Sequence, residues 1–221
     1  MNEEISKNVL KSGTSIVGIV CKDGIVMAAD RRATAGNLIM SKNTQKLVPV
    51  NSYLLMAGTG VASDIQMLTK LIAAELRLKE LRSKQKPTVR EAANLIAMMS
   101  FKNIRQFSTI PSIAGTLVGG LNNDGTFELY TVEPAGSLQR VEDYDANFSS
   151  GMPFILGLLE RQYKKNLSVK EGVELAMECL KSSTQRDSAS GQGIDVFIIT
   201  KEGIKQEVDK EIIAEYKDRV N

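Results

Sequence analysis

The stretch from Gly13 to Lys46 constrains the fold more than any other part of this chain. Ile16, Val17, Ile19 and Val20 favour extended backbone, Asp23-Gly24 supplies a turn signal, and Ile25 to Ala29 returns as a second strand. The return strand runs into Asp30, followed by Arg31 and Arg32, so a carboxylate closes an apolar run. A hairpin brings the end of its second strand beside the start of its first. Asp30 is therefore expected close to Thr14, and Lys46 can reach the same place from the next segment. In that reading a hydroxyl, a carboxylate and an amine converge.

The 221 residues include no histidine. This removes Ser-His-Asp and Cys-His catalysis, His-ligated zinc and His proton shuttling together. A hydrolase built from this chain must find its base elsewhere. Cys21 and Cys179 stand far apart and form no metal spacing; Cys21 lies mid-strand and reads as a small core residue. A chain of this size without a disulfide framework suits a reducing cytosol. Net charge of +2, with no basic cluster interleaved with aromatics, argues against a nucleic-acid partner. The N-terminus carries Glu3 and Glu4 where a signal peptide would be basic, and no run approaches membrane-spanning length. The expectation is a cytoplasmic protein with no membrane partner.

Beyond the hairpin, Lys46 to Val50 and Tyr53 to Ala57 read as strands around an Asn51-Ser52 turn, and Gly58-Thr59-Gly60 as a corner into a long helix from about Ser63 to Arg82. Thr88-Val89-Arg90-Glu91 is a capping box opening a second helix that ends near Phe107. Strands follow at Ser112 to Leu121, Phe127 to Val132 and Leu138 to Val141. Helices are predicted at Pro153 to Tyr163 and from a Ser168–Glu171 cap to about Ser183. Asp195 to Thr200 and Ile204 to Val208 form a last strand pair, and Lys210 to Val220 reads as a short amphipathic helix. This order gives an α+β fold in layers, in one domain.

Several blocks together resemble the proteasome β-subunit family, the N-terminal-threonine proteases. They are Gly13-Thr14, Asp30-Arg31-Arg32-Ala33-Thr34, Ser41-Lys42-Asn43, Lys46, Gly58 to Asp64, and Arg186-Asp187-Ser188-Ala189-Ser190-Gly191. No gap is needed between Thr14 and Asp64, and the resemblance runs over nearly the whole chain. It implies a four-layer α-β-β-α sandwich of the N-terminal nucleophile hydrolase type. It also implies self-cleavage between Gly13 and Thr14, so that residues 1–13 are a propeptide and 14–221 the mature domain. Gly13, lacking a side chain, leaves room for Thr14 to attack its carbonyl.

The resemblance assigns Thr14 as nucleophile, with Asp30 and Lys46 beside it and Ser150, Asp187 and Ser190 around the threonine amine. The Ser149-Ser150-Gly151-Met152-Pro153 segment departs from the family's usual Gly-Ser-Gly-Ser-Pro at Ser149 and Met152. Gly60 would offer its backbone N–H to the oxyanion, a donor worth about 3–4 kcal/mol of transition-state stabilisation. Substrate would bind as an added strand through Thr34, Gly60 and Ala62, with Ala33, Thr44, Val48, Gly58 and Ala62 lining a roomy first pocket. Each residue also has an ordinary reading: Thr14 as a strand start, Lys46 as a surface lysine, Asp30 as a partner of Arg31 or Arg32, Gly60 as a tight corner.

As partners the resemblance implies proteasome α-subunits and other β-subunits in stacked seven-membered rings, a regulatory ATPase ring and unfolded polypeptide substrates; it requires no metal or organic cofactor. The alternative is a structural β-subunit that keeps its leader and needs a sister β-subunit for activity. The simpler bacterial threonine peptidase, shorter and with its threonine almost at the start, fits less well.

Overall fold

The computed structural model describes residues 13–108 and 112–212. The first half contains β1 (Ile16–Cys21), β2 (Gly24–Asp30), β3 (Ala33–Ala35), β4 (Leu38–Ser41), β5 (Leu47–Pro49) and β6 (Leu54–Gly60), followed by helices α1 (Ala62–Ser83) and α2 (Val89–Arg105). The second half has β7 (Ala114–Leu121), β8 (Phe127–Val132), β9 (Leu138–Val141) and β10 (Tyr144–Asp145). Helices α3 (Met152–Gln162) and α4 (Val169–Thr184) and strands β11 (Gly193–Thr200) and β12 (Gly203–Glu211) complete it. Two five-stranded antiparallel sheets result, ordered β10-β1-β2-β11-β12 and β5-β6-β7-β8-β9, with β3 and β4 as a separate pair.

The pleat of β2 explains the layering. Ile25, Met27 and Ala29 point between the sheets, where they meet Leu55, Leu117, Leu129 and Phe197. Val26 and Ala28 point the other way, into a core with Leu159, Leu175 and Leu180 of α3 and α4. Both faces are buried, so the strand reads as an unbroken apolar run. The second sheet turns its other face to α1 and α2, through Leu54, Met56, Leu68, Ile72 and Ile96. The chain is thus a four-layer α-β-β-α sandwich. Each fully buried Leu, Ile or Met in these three cores contributes about 1.5–3 kcal/mol.

Both predicted capping boxes form: Thr88 with Glu91 opens α2, and Ser168 with Glu171 opens α4. Three expectations need correction, and two strand pairs are new. The β1–β2 turn is Lys22-Asp23, while Gly24 already pairs with Cys21. Glycine is needed at 24 because a Cβ would lie 2.3 Å from the Ile199 carbonyl oxygen of β11. Gly58 to Gly60 form no corner but end β6, paired with β7. The pairs β3–β4 and β1–β10 were not anticipated, since strands of two to four residues carry no readable period. Of the C-terminal helix expected from Lys210 to Val220, Lys210 and Glu211 belong to β12, and 213–221 lie outside the described residues. Among the described residues no helix is long and apolar enough to cross a membrane.

Candidate active site

At one end of the sandwich, where β2 leaves the first sheet, Asp30 is wholly buried between β1 and β11. Four donors satisfy its carboxylate. Oδ1 accepts from the Ser15 N–H (2.8 Å) and from Lys46 Nζ (2.6 Å), and Oδ2 from the N–H groups of Arg32 (3.0 Å) and Gly191 (2.9 Å). The hairpin thus does carry Asp30 back to the start of β1, with the direct bond going to Ser15. Lys46, just before β5, is buried as well. Burial pushes its ammonium below the usual lysine range, and the Asp30 carboxylate opposes that shift. Arg31 does not pair with Asp30: its guanidinium joins Asp195 of β11 to Asp209 of β12, which raises its already high pKa.

Thr14 is buried immediately before β1. Its hydroxyl donates to the carbonyl oxygen of Gly13 at 2.8 Å, within its own peptide unit. Its N–H donates to Ser150 Oγ at 2.9 Å, and that hydroxyl lies 2.6 Å from Asp187 Oδ2. Ser190 Oγ reaches the same carboxylate oxygen at 2.5 Å. The expected set of Thr14, Ser150, Asp187 and Ser190 is one connected network, despite the departures at Ser149 and Met152. Ser149 takes no part in it; its hydroxyl is buried without a partner among the described residues. Gly13 is fixed by its N–H donating to Thr34 Oγ1 at 3.1 Å, and only glycine fits, because a Cβ would lie 1.8 Å from that of Ala189.

Thr14 opens on a cavity of about 230 Å³, large enough for one amino-acid side chain. The five residues expected around the first pocket, Ala33, Thr44, Val48, Gly58 and Ala62, all line it, with Ile65 and Gly60. Glycine at 58 makes room for a neighbour: Ile65 of α1 packs so close that a Cβ there would sit 2.3 Å from its Cγ2. Gly60 has φ +107°, and a Cβ would strike the Ile113 carbonyl oxygen at 2.2 Å. No other residue type would leave this backbone in place.

Sequence reasoning missed three residues of the site. Asn147, nearly fully buried with φ +43°, donates through Nδ2 to the carbonyl oxygens of Thr116 and Val132 and to Thr131 Oγ1. Its Oδ1 accepts from Thr59 Oγ1 and from the N–H of Phe148. It therefore ties the end of β6, next to Gly60, to the turn that carries Ser150. Ser15 and Ser183 are the others: both hydroxyls are fully buried and bonded to each other, and Ser15 Oγ lies 2.7 Å from Ser190 Oγ. A signal for Ser183 did exist, because it continues the buried Leu175–Ala176–Cys179–Leu180 face of α4 with a polar residue.

A family model described as "Proteasome subunit" matches residues 10–199. Relatives include the proteasome subunit beta of Archaeoglobus profundus, 40% identical over 94% of this chain and 95% of its own length. The proteasome subunit beta of Nanoarchaeum equitans is 38% identical over 87% of this chain and 96% of its own. The proteasome subunit beta 2 of Aeropyrum pernix is 36% identical over 91% and 89%.

Proposed function

This chain belongs to the proteasome subunit family, among its archaeal-type beta subunits, and from that premise we propose that it is a threonine endopeptidase matured by cleavage of its own Gly13–Thr14 bond. The observation that carries the reading is the 2.8 Å contact of the Thr14 hydroxyl with the Gly13 carbonyl group, in a chain with no histidine.

In maturation, Thr14 Oγ adds to the Gly13 carbonyl carbon and the Thr14 nitrogen leaves as an amine, so the amide becomes an ester. Water then hydrolyses the ester, releasing residues 1–13 with a new carboxylate on Gly13 and exposing the amine of Thr14. A free α-amine has a pKa of about 7.7–8.0 and serves as a base near neutral pH on the same residue as the nucleophile. Ser150, with Asp187 and Ser190 behind it, holds that nitrogen in place.

For a substrate, the amine takes the hydroxyl proton as Oγ attacks the scissile carbonyl. The Lys46 ammonium, oriented by Asp30, favours the negative charge developing on Oγ, and the Gly60 N–H receives the oxyanion. The amine then protonates the leaving amino group, and water resolves the ester. Thr34, Gly60 and Ala62 would take the peptide as an added strand, its side chain entering the cavity at Ala33 and Gly58. No metal or organic cofactor is required.

In this reading the subunit works in the cytoplasm, inside stacked seven-membered rings with α-subunits and a regulatory ATPase, on unfolded polypeptides. The test is intact mass and N-terminal sequencing of the chain assembled with its α-subunits, with peptidase assays of wild type and Thr14→Ala. A chain starting at Thr14, with activity lost on substitution by at least about a thousandfold, is the expected result. A chain still carrying residues 1–13 after assembly would overturn self-maturation and favour the structural β-subunit that depends on a sister subunit.

A further inference from the structure

Behind the nucleophile runs a line of hydroxyls whose proton directions follow from counting. Ser150 Oγ and Ser190 Oγ both contact Asp187 Oδ2, at 2.6 and 2.5 Å. A carboxylate has no proton to give, so Ser190 donates to it, while the one proton of Ser150 faces both that carboxylate and the Thr14 carbonyl oxygen at 3.0 Å. Ser190 has then used its only proton, and its 2.7 Å contact with Ser15 must be a bond donated by Ser15. Ser15 is spent in turn, so its contact with Ser183 is donated by Ser183. Every proton in the line Ser183, Ser15, Ser190 points toward Asp187. The three serines are fully buried, so water does not compete for the bonds between them, whereas Asp187 is half-buried and Ser150 exposed.

Two further features anchor the far end of the line. The Ser183 carbonyl oxygen accepts from the N–H of Asp187 at 2.8 Å, so one residue of α4 holds Asp187 by backbone and, through the hydroxyls, by side chain. Gly151, next to Ser150, packs directly on the Ser15–Ser183 contact. A Cβ at 151 would lie 1.9 Å from Ser15 Oγ and 2.1 Å from Ser183 Oγ.

We propose that Ser15 and Ser183 are positioning residues for the Thr14 nucleophile: their hydroxyls hold the Ser190 oxygen in the place from which it donates to Asp187, and thereby steady the carboxylate that holds Ser150 against the Thr14 nitrogen. The proposal rests on the threonine-peptidase reading. Neither residue touches the reacting atoms. Without Ser183, Ser15 loses the donor that holds its oxygen in line with Ser190, and the Ser190 side chain that donates to Asp187 is less firmly braced. The amine base then spends less time in line with its hydroxyl, while the substrate cavity, walled by other residues, is unchanged.

The test is steady-state kinetics on a fluorogenic peptide with the assembled particle, for wild type, Ser183→Ala, Ser15→Ala, Ser190→Ala, Ser183→Ala/Ser190→Ala and Ser183→Thr, with Thr14→Ala as blank. The expected result is a kcat about tenfold lower in either alanine variant, the size of one misdirected hydrogen bond, with KM unchanged. Recovery is expected in Ser183→Thr, which keeps the hydroxyl. In the Ser190→Ala background, Ser183→Ala should add nothing, because the line is already cut. Effects that multiply in the double variant, a change in KM instead of kcat, or no recovery with threonine would overturn the proposal. Failure of both Ser183→Ala and Ser15→Ala to assemble would make the bond a folding contact and overturn it as well. A wild-type particle without Thr14-dependent hydrolysis would sink the peptidase reading itself, a distinguishable outcome.

Discussion

The two walls of the cleft are built on opposite principles. On one side stand Asp30, Ser15, Ser190 and Asp187, from the first sheet and the loop between α4 and β11, crowded and saturated with hydrogen bonds. On the other stand Gly58, Gly60, Ala33 and Ala62, small residues that let Ile65 and the Ile113 backbone pack close and put no bulk into the cavity they line. A polar wall needs every partner, because an unpaired buried polar group costs about 1–3 kcal/mol and an unpaired charge more. A wall of absent side chains needs only the backbone held still. Substitutions in the first should therefore register as lost stability and lost turnover together. In the second they should register as altered selection of the peptide.

The largest effect should come from Asp30→Ala. It leaves the buried Lys46 ammonium without its counter-charge, and breaking such a pair costs about 3–5 kcal/mol. The pH dependence follows from the direction of the Lys46 shift. Burial already lowers its pKa below the ordinary 10.5, and losing Asp30 removes the main opposing influence, so the folded value falls further. Between that value and the wild-type folded value, the variant's unfolded chain binds more protons than its folded one while the two states of wild type bind alike, so stability relative to wild type should recover as pH rises through that window. Urea melts of both proteins at pH 6, 7.5 and 9 would measure it. A gap that widens with pH would contradict a buried charge as the cause.

Asn147→Ala should rank next, at about 2–3 kcal/mol, and it probes where the walls meet. The change removes bonds to β7 and β8 as well as the link from Thr59 to the Ser150 turn, and leaves alanine at φ +43°. Comparing thermal melts of Asn147→Ala, Asn147→Asp and Asn147→Gly separates the contributions. Glycine relieves the backbone but not the bonds, and aspartate keeps only the acceptor. If glycine restored wild-type stability, the side-chain network would be irrelevant to holding the walls together.

The same contrast explains how legible each part was in the sequence. The apolar run of β2 and the capping boxes and apolar faces of α2 and α4 announce themselves because burial on a regular element leaves a repeating pattern. Asp30 and Lys46 stood out as charges bordering apolar strands. The site residues from the second half were reachable only through likeness to a family, since nothing local says that Asp187 folds back to within 2.6 Å of Ser150. Ser15 was missed because serine is common at a strand start; Ser183 carried a trace, as a polar residue on the buried face of α4, but its long-range partner leaves no mark in sequence spacing. Gly24, read as a turn residue, is a glycine for a reason that lies 175 positions away, at Ile199. Pattern reports what an element does to itself, whereas the meeting of distant elements becomes visible only in three dimensions.

Gly58→Leu should have the smallest effect on stability and the sharpest effect on function, which makes it the best test of the open wall. The new side chain enters the cavity beside Ile65, whose Cγ2 lies 2.3 Å from the position of the first added carbon. Ile65 is β-branched on a helix and must shift as well as turn, so the cost should be about 2 kcal/mol, mid-range for overpacking. The hydrogen-bonded wall is untouched, so reaction of Thr14 with a small electrophile should proceed at the wild-type rate. Peptides with a bulky residue before the scissile bond should lose about tenfold or more in kcat/KM, while those with alanine there should lose little. A peptide panel run on both proteins decides the matter. Equal losses for large and small residues would mean that the substitution had disturbed the nucleophile, and that the two walls are not separable.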